Sequence, residues 1–384
     1  MTMTWPEGFI WGTASSATQA EGAVAGSDWY AWEEQGRVPR SGDGNGFATR
    51  HGEDFALYAE HGLTHHRLSL EWARLEPTQG HHDEAEVERY RTMLQAGRDA
   101  GISIWACLHH FVLPGWFADD LNGFRDDKQG RLVWSRHVDW VAETFGDLVS
   151  GWKPINEPTF YALGSHLMGL LPPGRSDPRE AAGVLATIHQ AGADAARLLR
   201  TPTTPVASVQ SLIPIFAAED TADAAAAVAH LDDLWWGSWA DETQLDAYDY
   251  LGFSFYSAIG VKGDGSVGPW PVNGRPGPQG YVPWAEGFAH VLERLGSDHA
   301  GRPLLVAEAG IGTADDQERH DYVEDVLGIV HNAITGGIDV QGLFWWTGVD
   351  NYEWHQGYDL RFGLFDRDRN PSPAADLARR AALG

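Results

Sequence analysis

Short apolar runs alternate with longer amphipathic stretches from one end of the chain to the other. The runs fall at residues 8–12, 66–70, 102–108, 152–156, 206–209, 251–256, 304–308 and 342–346, each short enough to be a buried strand. Between them, apolar positions recur with helical spacing. Residues 50–62 carry Phe55, Leu57 and Tyr58 ahead of a glycine, and residues 83–101 carry Val87, Tyr90, Met93, Leu94 and Ala100. Residues 136–150 repeat the pattern with Val138, Val141, Ala142, Phe145 and Val149; residues 177–199 are alanine-rich. Residues 315–336 run from Tyr322 to Ile334 and stop at Gly-Gly. Eight strand–helix repeats with right-handed crossovers predict an α/β fold, a (β/α)8 TIM barrel forming a single domain over residues 1–384. An open doubly wound sheet is the structural alternative, and the chain carries nothing like its Gly-rich phosphate turn. Residues 119–130 and the Gly/Pro-rich residues 261–283 read as surface loops after the third and sixth strands, ringing the mouth of such a barrel.

The charge then narrows the partners. With 54 acidic against 27 basic residues, the formal charge of −27 argues against nucleic acid and anionic membranes, which require a basic surface. A neutral small molecule fits this field best. No apolar stretch is long enough to span a bilayer, and the start of the chain lacks the basic and apolar regions of a signal peptide. One cysteine, Cys107, excludes an intramolecular disulfide and fits a reducing, cytoplasmic setting. The 18 tryptophans supply flat faces of the kind that pack against the C–H faces of sugar rings. Nothing in the sequence sets the oligomeric state.

Candidate chemistry sits at the ends of two predicted strands. Glu157 closes Trp-Lys-Pro-Ile-Asn-Glu-Pro, where Pro158 predicts an extended backbone for it, and Glu308 closes Leu-Leu-Val-Ala-Glu-Ala-Gly. A closed barrel can bring two such carboxylates face to face, which is the machinery of glycoside hydrolysis. Retaining hydrolysis needs an acid to protonate the leaving oxygen and a carboxylate, about 5–5.5 Å away, to attack the anomeric carbon. The attacking group needs cationic or hydrogen-bonding neighbours, and Arg67 on the second strand and Tyr256 at the end of the sixth are placed to supply them. The doublets His65-His66, His81-His82 and His109-His110 do not predict a metal, because adjacent residues on a strand point to opposite faces. By the same alternation, one of Trp345 and Trp346 lines the barrel mouth and the other packs outward.

Four motifs in order give the chain a family resemblance. Residues 5–22 (Trp-Pro-Glu-Gly-Phe-Ile-Trp-Gly-Thr-Ala-Ser-Ser-Ala-Thr-Gln-Ala-Glu-Gly), Ile155-Asn156-Glu157-Pro158, Val306-Ala307-Glu308-Ala309-Gly310 and residues 344–354 (Phe-Trp-Trp-Thr-Gly-Val-Asp-Asn-Tyr-Glu-Trp) resemble the signatures of glycoside hydrolase family 1, the β-glucosidase family. The resemblance implies Glu157 as general acid and then base, Glu308 as nucleophile, and Arg67 and Tyr256 as the residues holding Glu308. It implies that Gln19, His110, Asn156, Glu353 and Trp354 grip the sugar hydroxyls over a Trp346 platform. No cofactor and no metal are implied. Glu353 argues against the phospho-β-glycosidases of the family, and Glu157 against the variant that lacks the acid.

The chain departs from the family pattern at Ala309, Ser254 and residues 109–112 (His-His-Phe-Val), where the relatives usually carry asparagine, asparagine and Tyr-His-Trp-Asp. The expectation is a cytoplasmic retaining exo-β-glycosidase, most simply a β-glucosidase, acting on a small-molecule β-glycoside. An atypical glycone (galactose, fucose or an acidic sugar) and a catalytically silent sugar-binding barrel remain as alternatives.

Overall fold

A computed structural model describes residues 3–384. In chain order its strands are β1 (Ile10–Ala14), β2 (His65–Ser69), β3 (Ser103–His109), β4 (Gly151–Ile155), β5 (Gln210–Ser211), β6 (Ile215–Ala217), β7 (Leu251–Phe255), β8 (Ala258–Val261), β9 (Val267–Trp270), β10 (Leu304–Ala309) and β11 (Val340–Trp346). Eight of them pair in parallel in the order β4-β3-β2-β1-β11-β10-β7-β5. The ring closes through the residues leading into β5. Trp152 bridges Val206 in parallel, the Ala207 N–H donates to Trp152 O at 2.9 Å, and the Glu157 N–H donates to Val209 O at 2.8 Å. The sheet therefore has no free edge.

The predicted strand positions hold, with local shifts. The first strand starts two residues later than its apolar run suggests. The fifth is short, because Val206 and Ala207 make only isolated bridges before Gln210–Ser211 pairs with β7. Two apolar layers result, as a sheet buried on both faces requires. Ile10, Trp105, Ala207, Leu305 and Phe344 fill the barrel, while Leu68, Ile104, Val306 and Leu343 face the helices.

The five predicted helices appear at Phe47–Glu60, Glu84–Asp99, Asp127–Phe145, Pro178–Leu199 and Asp316–Thr335. Asp83, Asp177 and Asp315 each accept two backbone N–H groups at the start of theirs. The third helix starts nine residues before its predicted position because Asp126 caps it, accepting from the Gln129 N–H. Residues 119–130 are accordingly not a plain loop: they hold helical turns at Trp116–Asp120 and Gly123–Arg125, with Phe124 buried. Nor is the stretch 261–283 entirely a loop. β8 and β9 form an antiparallel hairpin there, and β6 joins it as a small second sheet.

One glycine is fixed by close approach beside the site. A Cβ on Gly310, next after β10, would lie 2.0 Å from Trp346 O, so β10 and β11 can converge at the mouth only with glycine there.

Candidate active site

The predicted functional residues come from different strand ends at one face of the barrel. Arg67 lies on β2, Glu308 on β10 and Trp346 at the end of β11; His110, Asn156 and Tyr256 directly follow β3, β4 and β7. Gln19 belongs to the short helix Ala17–Glu21 after β1, and Glu353 and Trp354 to the loop after β11. His110, Asn156, Glu157, Tyr256, Glu308, Trp346, Glu353 and Trp354 line a single cavity of about 250 Å³. This is the catalytic face of a (β/α)8 barrel.

Glu308 is 3% exposed, and both its oxygens are engaged. Arg67 Nη1 stands 2.6 Å from Oε1, and the Tyr256 hydroxyl donates to Oε2 at 2.5 Å. A guanidinium and a phenol are the partners an attacking carboxylate needs. Burial, followed by the Glu308 charge, holds the Tyr256 phenol well above its ordinary range, so it stays a donor. Arg67 is itself fully buried, and its Nη1 also donates to Asn156 Oδ1 at 2.7 Å. One guanidinium thus ties the nucleophile candidate to the residue preceding Glu157. Asn156 Nδ2 has no protein partner and is free to donate to a bound hydroxyl.

Glu157 sits in different surroundings. Burial, and then the charge of Glu308, push its carboxyl up to about 8, against the opposing effects of Ser254 and Arg67. The Ser254 hydroxyl donates to Glu157 Oε1. The expected extended backbone at Glu157 is not what forms. Its φ of 44° and ψ of 59° are left-handed, and its carbonyl accepts the Tyr161 N–H at 2.9 Å to start the helix Pro158–His166. Pro158 disfavours the right-handed helical conformation for Glu157, and the chain turns into that helix through the left-handed region instead. A non-glycine residue there costs on the order of 1–3 kcal/mol, strain that concentrates at functional sites.

Three further predicted residues build a wall of stacked rings. His110 lies parallel to Trp346 (5.6 Å, 9°) and to Trp354 (6.1 Å, 15°). Burial, then Arg67, drive its pKa well below the usual histidine value, so it is a neutral imidazole. Its neighbour His109 faces outward against Tyr161, and His66 is tied to Thr13 and Ser15, so these doublets do alternate faces. Trp345 packs outward in the same way, leaving Trp346 on the cavity.

Glu353 accepts from Trp346 Nε1 at 3.3 Å, and burial pushes its carboxyl up to about 8. Gln19 stands beside Glu353, to which its side chain hydrogen-bonds, and it also donates to Tyr352 O at 2.8 Å and accepts from Ser16 at 2.8 Å.

Sequence reasoning missed part of the wall. Phe111, Phe160, Ile213 and Phe362 form its apolar side, and Ser211, Ser257, Gln279 and Tyr281 add polar groups. Of these only Phe111 carried a signal, as a departure from the family pattern; Ser254, which holds Glu157 from outside the wall, carried the same kind. Among the described residues, no helix is long and apolar enough to cross a membrane, and the one cluster with metal-ligating spacing (His320, Asp321 and Glu324) lies on the helix Asp316–Thr335 and contributes nothing to the cavity wall.

The same architecture occurs in solved structures. A β-glycosidase from Pyrococcus horikoshii superposes with a TM-score of 0.90 at 29% identity, covering 100% of this chain and 95% of that one. A family 1 β-glucosidase from Thermotoga maritima superposes with a TM-score of 0.88 at 23% identity, covering 99% and 98%. Among characterised sequences, β-glucosidase 2 of Oryza sativa is 27% identical over 98% of this chain and 90% of its own length. The sequence pattern of glycosyl hydrolase family 1 matches residues 1–264 and 273–382, which takes in both glutamates and every strand of the barrel, and the chain belongs to that family.

Proposed function

We propose that this protein is a retaining exo-β-glycosidase, most simply a β-glucosidase, whose single catalytic domain removes one terminal sugar through a covalent glycosyl-enzyme. The observation that carries this reading is the contrast between two buried carboxyl groups on one cavity. Arg67 and Tyr256 bracket Glu308, while Glu157 is pushed up to about 8 and so holds a proton at neutral pH. Such a split of environments assigns nucleophile and acid.

In the first step a Glu308 oxygen bonds to the anomeric carbon as the glycosidic C–O bond breaks, and the Glu157 proton passes to the departing oxygen. In the second, water bonds to the anomeric carbon, its proton returns to Glu157, and the bond to Glu308 breaks. Two inversions give net retention. Asn156 Nδ2, His110 and Glu353 offer the sugar hydroxyls directional partners, and Trp346 and Trp354 offer ring faces. The small cavity favours exo action, since at about 250 Å³ it falls below the usual range for larger ligands. The lone cysteine Cys107, buried and unpaired, supports a cytoplasmic setting.

Nitrophenyl β-glucoside is expected to be hydrolysed, with the β-anomer of the free sugar appearing first by NMR. Absence of turnover on any β-glycoside would favour the silent barrel, and first appearance of the α-anomer would exclude retention.

Ser254 offers a finer test. Its hydroxyl donates to Glu157 and favours the ionised form. Ser254→Ala should therefore raise the Glu157 pKa further and move the alkaline limb of kcat/KM to higher pH. It should also slow breakdown of the glycosyl-enzyme, which needs the Glu157 carboxylate, by about tenfold. A pH–rate profile with pre-steady-state kinetics reads both effects, and an unmoved limb would leave Ser254 a packing role only.

A further inference from the structure

The segment between β9 and the helix Glu286–Asp298 delivers two polar side chains into the cavity that the catalytic scheme does not use. Both ends of the segment are pinned to one ring. Trp270 stacks on Phe216 at 4.7 Å and 19°, and Trp284 meets the same ring edge-on at 5.6 Å. Between these anchors the backbone folds on itself. The Gly274 N–H donates to Pro271 O at 2.8 Å, the Gly277 N–H to Tyr281 O at 2.8 Å, and the Gly280 N–H to Gly277 O at 2.9 Å. Val282 is buried beneath the turn. Residues 265–272, which include β9 and the Trp270 anchor, fall outside the family match, so the support for this segment is a feature of this chain.

Gln279 and Tyr281 line the same cavity as Glu308 and Glu353. Gln279 Oε1 is buried there without a hydrogen-bond partner, a state that a hydroxyl donor relieves. The ionisable groups around the Tyr281 hydroxyl are Tyr322 and Glu353, with neither catalytic carboxylate among them, whereas Tyr256 faces Glu308 and Glu157 first and Glu353 last. Tyr281 therefore stands on the Glu353 side of the cavity. In the proposed scheme the anomeric carbon is held between Glu157 and Glu308, so the Glu353 side meets the far edge of the ring.

We propose that Gln279 and Tyr281 read the hydroxyls at C4 and C6 of the glycone, beside Glu353, and so select a neutral sugar over an anionic one. The inference rests on the glycosidase reading of the site. A hydroxyl can donate to Gln279 Oε1 and exchange hydrogen bonds with the Tyr281 phenol. A carboxylate or phosphate at C6 brings only acceptors against the Gln279 amide oxygen. A deoxy sugar leaves the amide oxygen unpaired even in the complex, and a site built to pair a hydroxyl discriminates strongly against its absence.

The test compares wild type, Gln279→Ala and Tyr281→Phe on nitrophenyl β-glucoside, its 4-deoxy and 6-deoxy analogues, and the β-glucuronide. Each variant is expected to lose about five- to tenfold in kcat/KM on the glucoside, yet less than about twofold on the analogue lacking the hydroxyl it reads. Gln279→Ala should also narrow the preference for glucoside over glucuronide. Retained activity on the deoxy analogue shows that a variant is folded. Equal losses on every glycone, or losses that follow a change of aglycone, would overturn the assignment while leaving the glycosidase reading intact. A wild-type protein inactive on all of these substrates would overturn both.

Discussion

Glu308→Gly is expected to lower kcat on nitrophenyl β-glucoside by roughly five to six orders of magnitude, as removal of a covalent nucleophile does elsewhere. Added azide should then restore turnover. The variant removes the carboxylate that Arg67 approaches at 2.6 Å and Tyr256 at 2.5 Å, leaving a space below the anomeric carbon with a buried guanidinium at its edge. A small anion can occupy that space. Its nitrogen bonds to the anomeric carbon as the glycosidic bond breaks, and Glu157 still supplies the proton to the leaving oxygen. Attack from the Glu308 face yields the α-glycosyl azide, which NMR distinguishes from its anomer. Wild-type activity in the variant would remove Glu308 as nucleophile, and a β-glycosyl azide would place the attacking group on the other face.

The framework around that site is legible in the sequence because buried parallel strands read as short continuous apolar runs. Leu304-Leu305-Val306-Ala307 shows this, with every residue buried and Glu308 following where the barrel opens. Helices with an apolar stripe are equally plain. Ala222–Trp235 is not, since its alanines are spread around a largely exposed surface and leave no stripe to read. The hairpin β8–β9 is hidden for a different reason: Pro269 and the flanking glycines read as breakers, while the stacking of Trp270 on Phe216 depends on the fold. The site divides in the same way. Residues at strand ends are found from their motifs, because the strand fixes where each side chain emerges. Ser254 appears only as a departure from a motif, and its hydrogen bond to Glu157 reaches past the intervening β5 segment, a pairing that only the closed ring creates. Gln279, Tyr281 and Phe362 arrive on loops whose convergence no local pattern encodes.

Electrostatics link the two ends of this cavity. Glu157 and Glu353 are each pushed up to about 8, chiefly by burial. At neutral pH the site therefore holds two largely protonated carboxyls around Glu308, which Arg67 and Tyr256 bracket. That is an economical way to pack three acidic groups into about 250 Å³, and it leaves the protons where a neutral polyol can exchange hydrogen bonds with them.

Replacing Glu157 is expected to cost most where the leaving group is poorest. Glu157→Ala should slow hydrolysis of alkyl glycosides or disaccharides by about 10⁴-fold, the upper range for general acid catalysis. A dinitrophenyl glycoside departs without protonation, so its first step should be far less affected. Azide should then give the β-glycosyl azide, because it meets the glycosyl-enzyme from the Glu157 side. The pH dependence has a definite sign. kcat/KM requires protonated Glu157, so the wild-type alkaline limb should lie near pH 8 and vanish in Glu157→Gln. Stability follows the same proton. The native pKa of about 8 exceeds the ordinary 4.5, so the folded state binds this proton more tightly than the unfolded chain. Stability is then fully present below about pH 4.5 and falls as pH rises towards about 8. Glu157→Gln is uncharged throughout, so thermal melts should place it above wild type near pH 8.5, with the difference gone near pH 4. Glu353 contributes a fall of the same sign, so the variant should keep a reduced slope. Matching slopes in both proteins would mean that Glu157 is ionised in the folded enzyme at neutral pH, and the acid would then have to be another group.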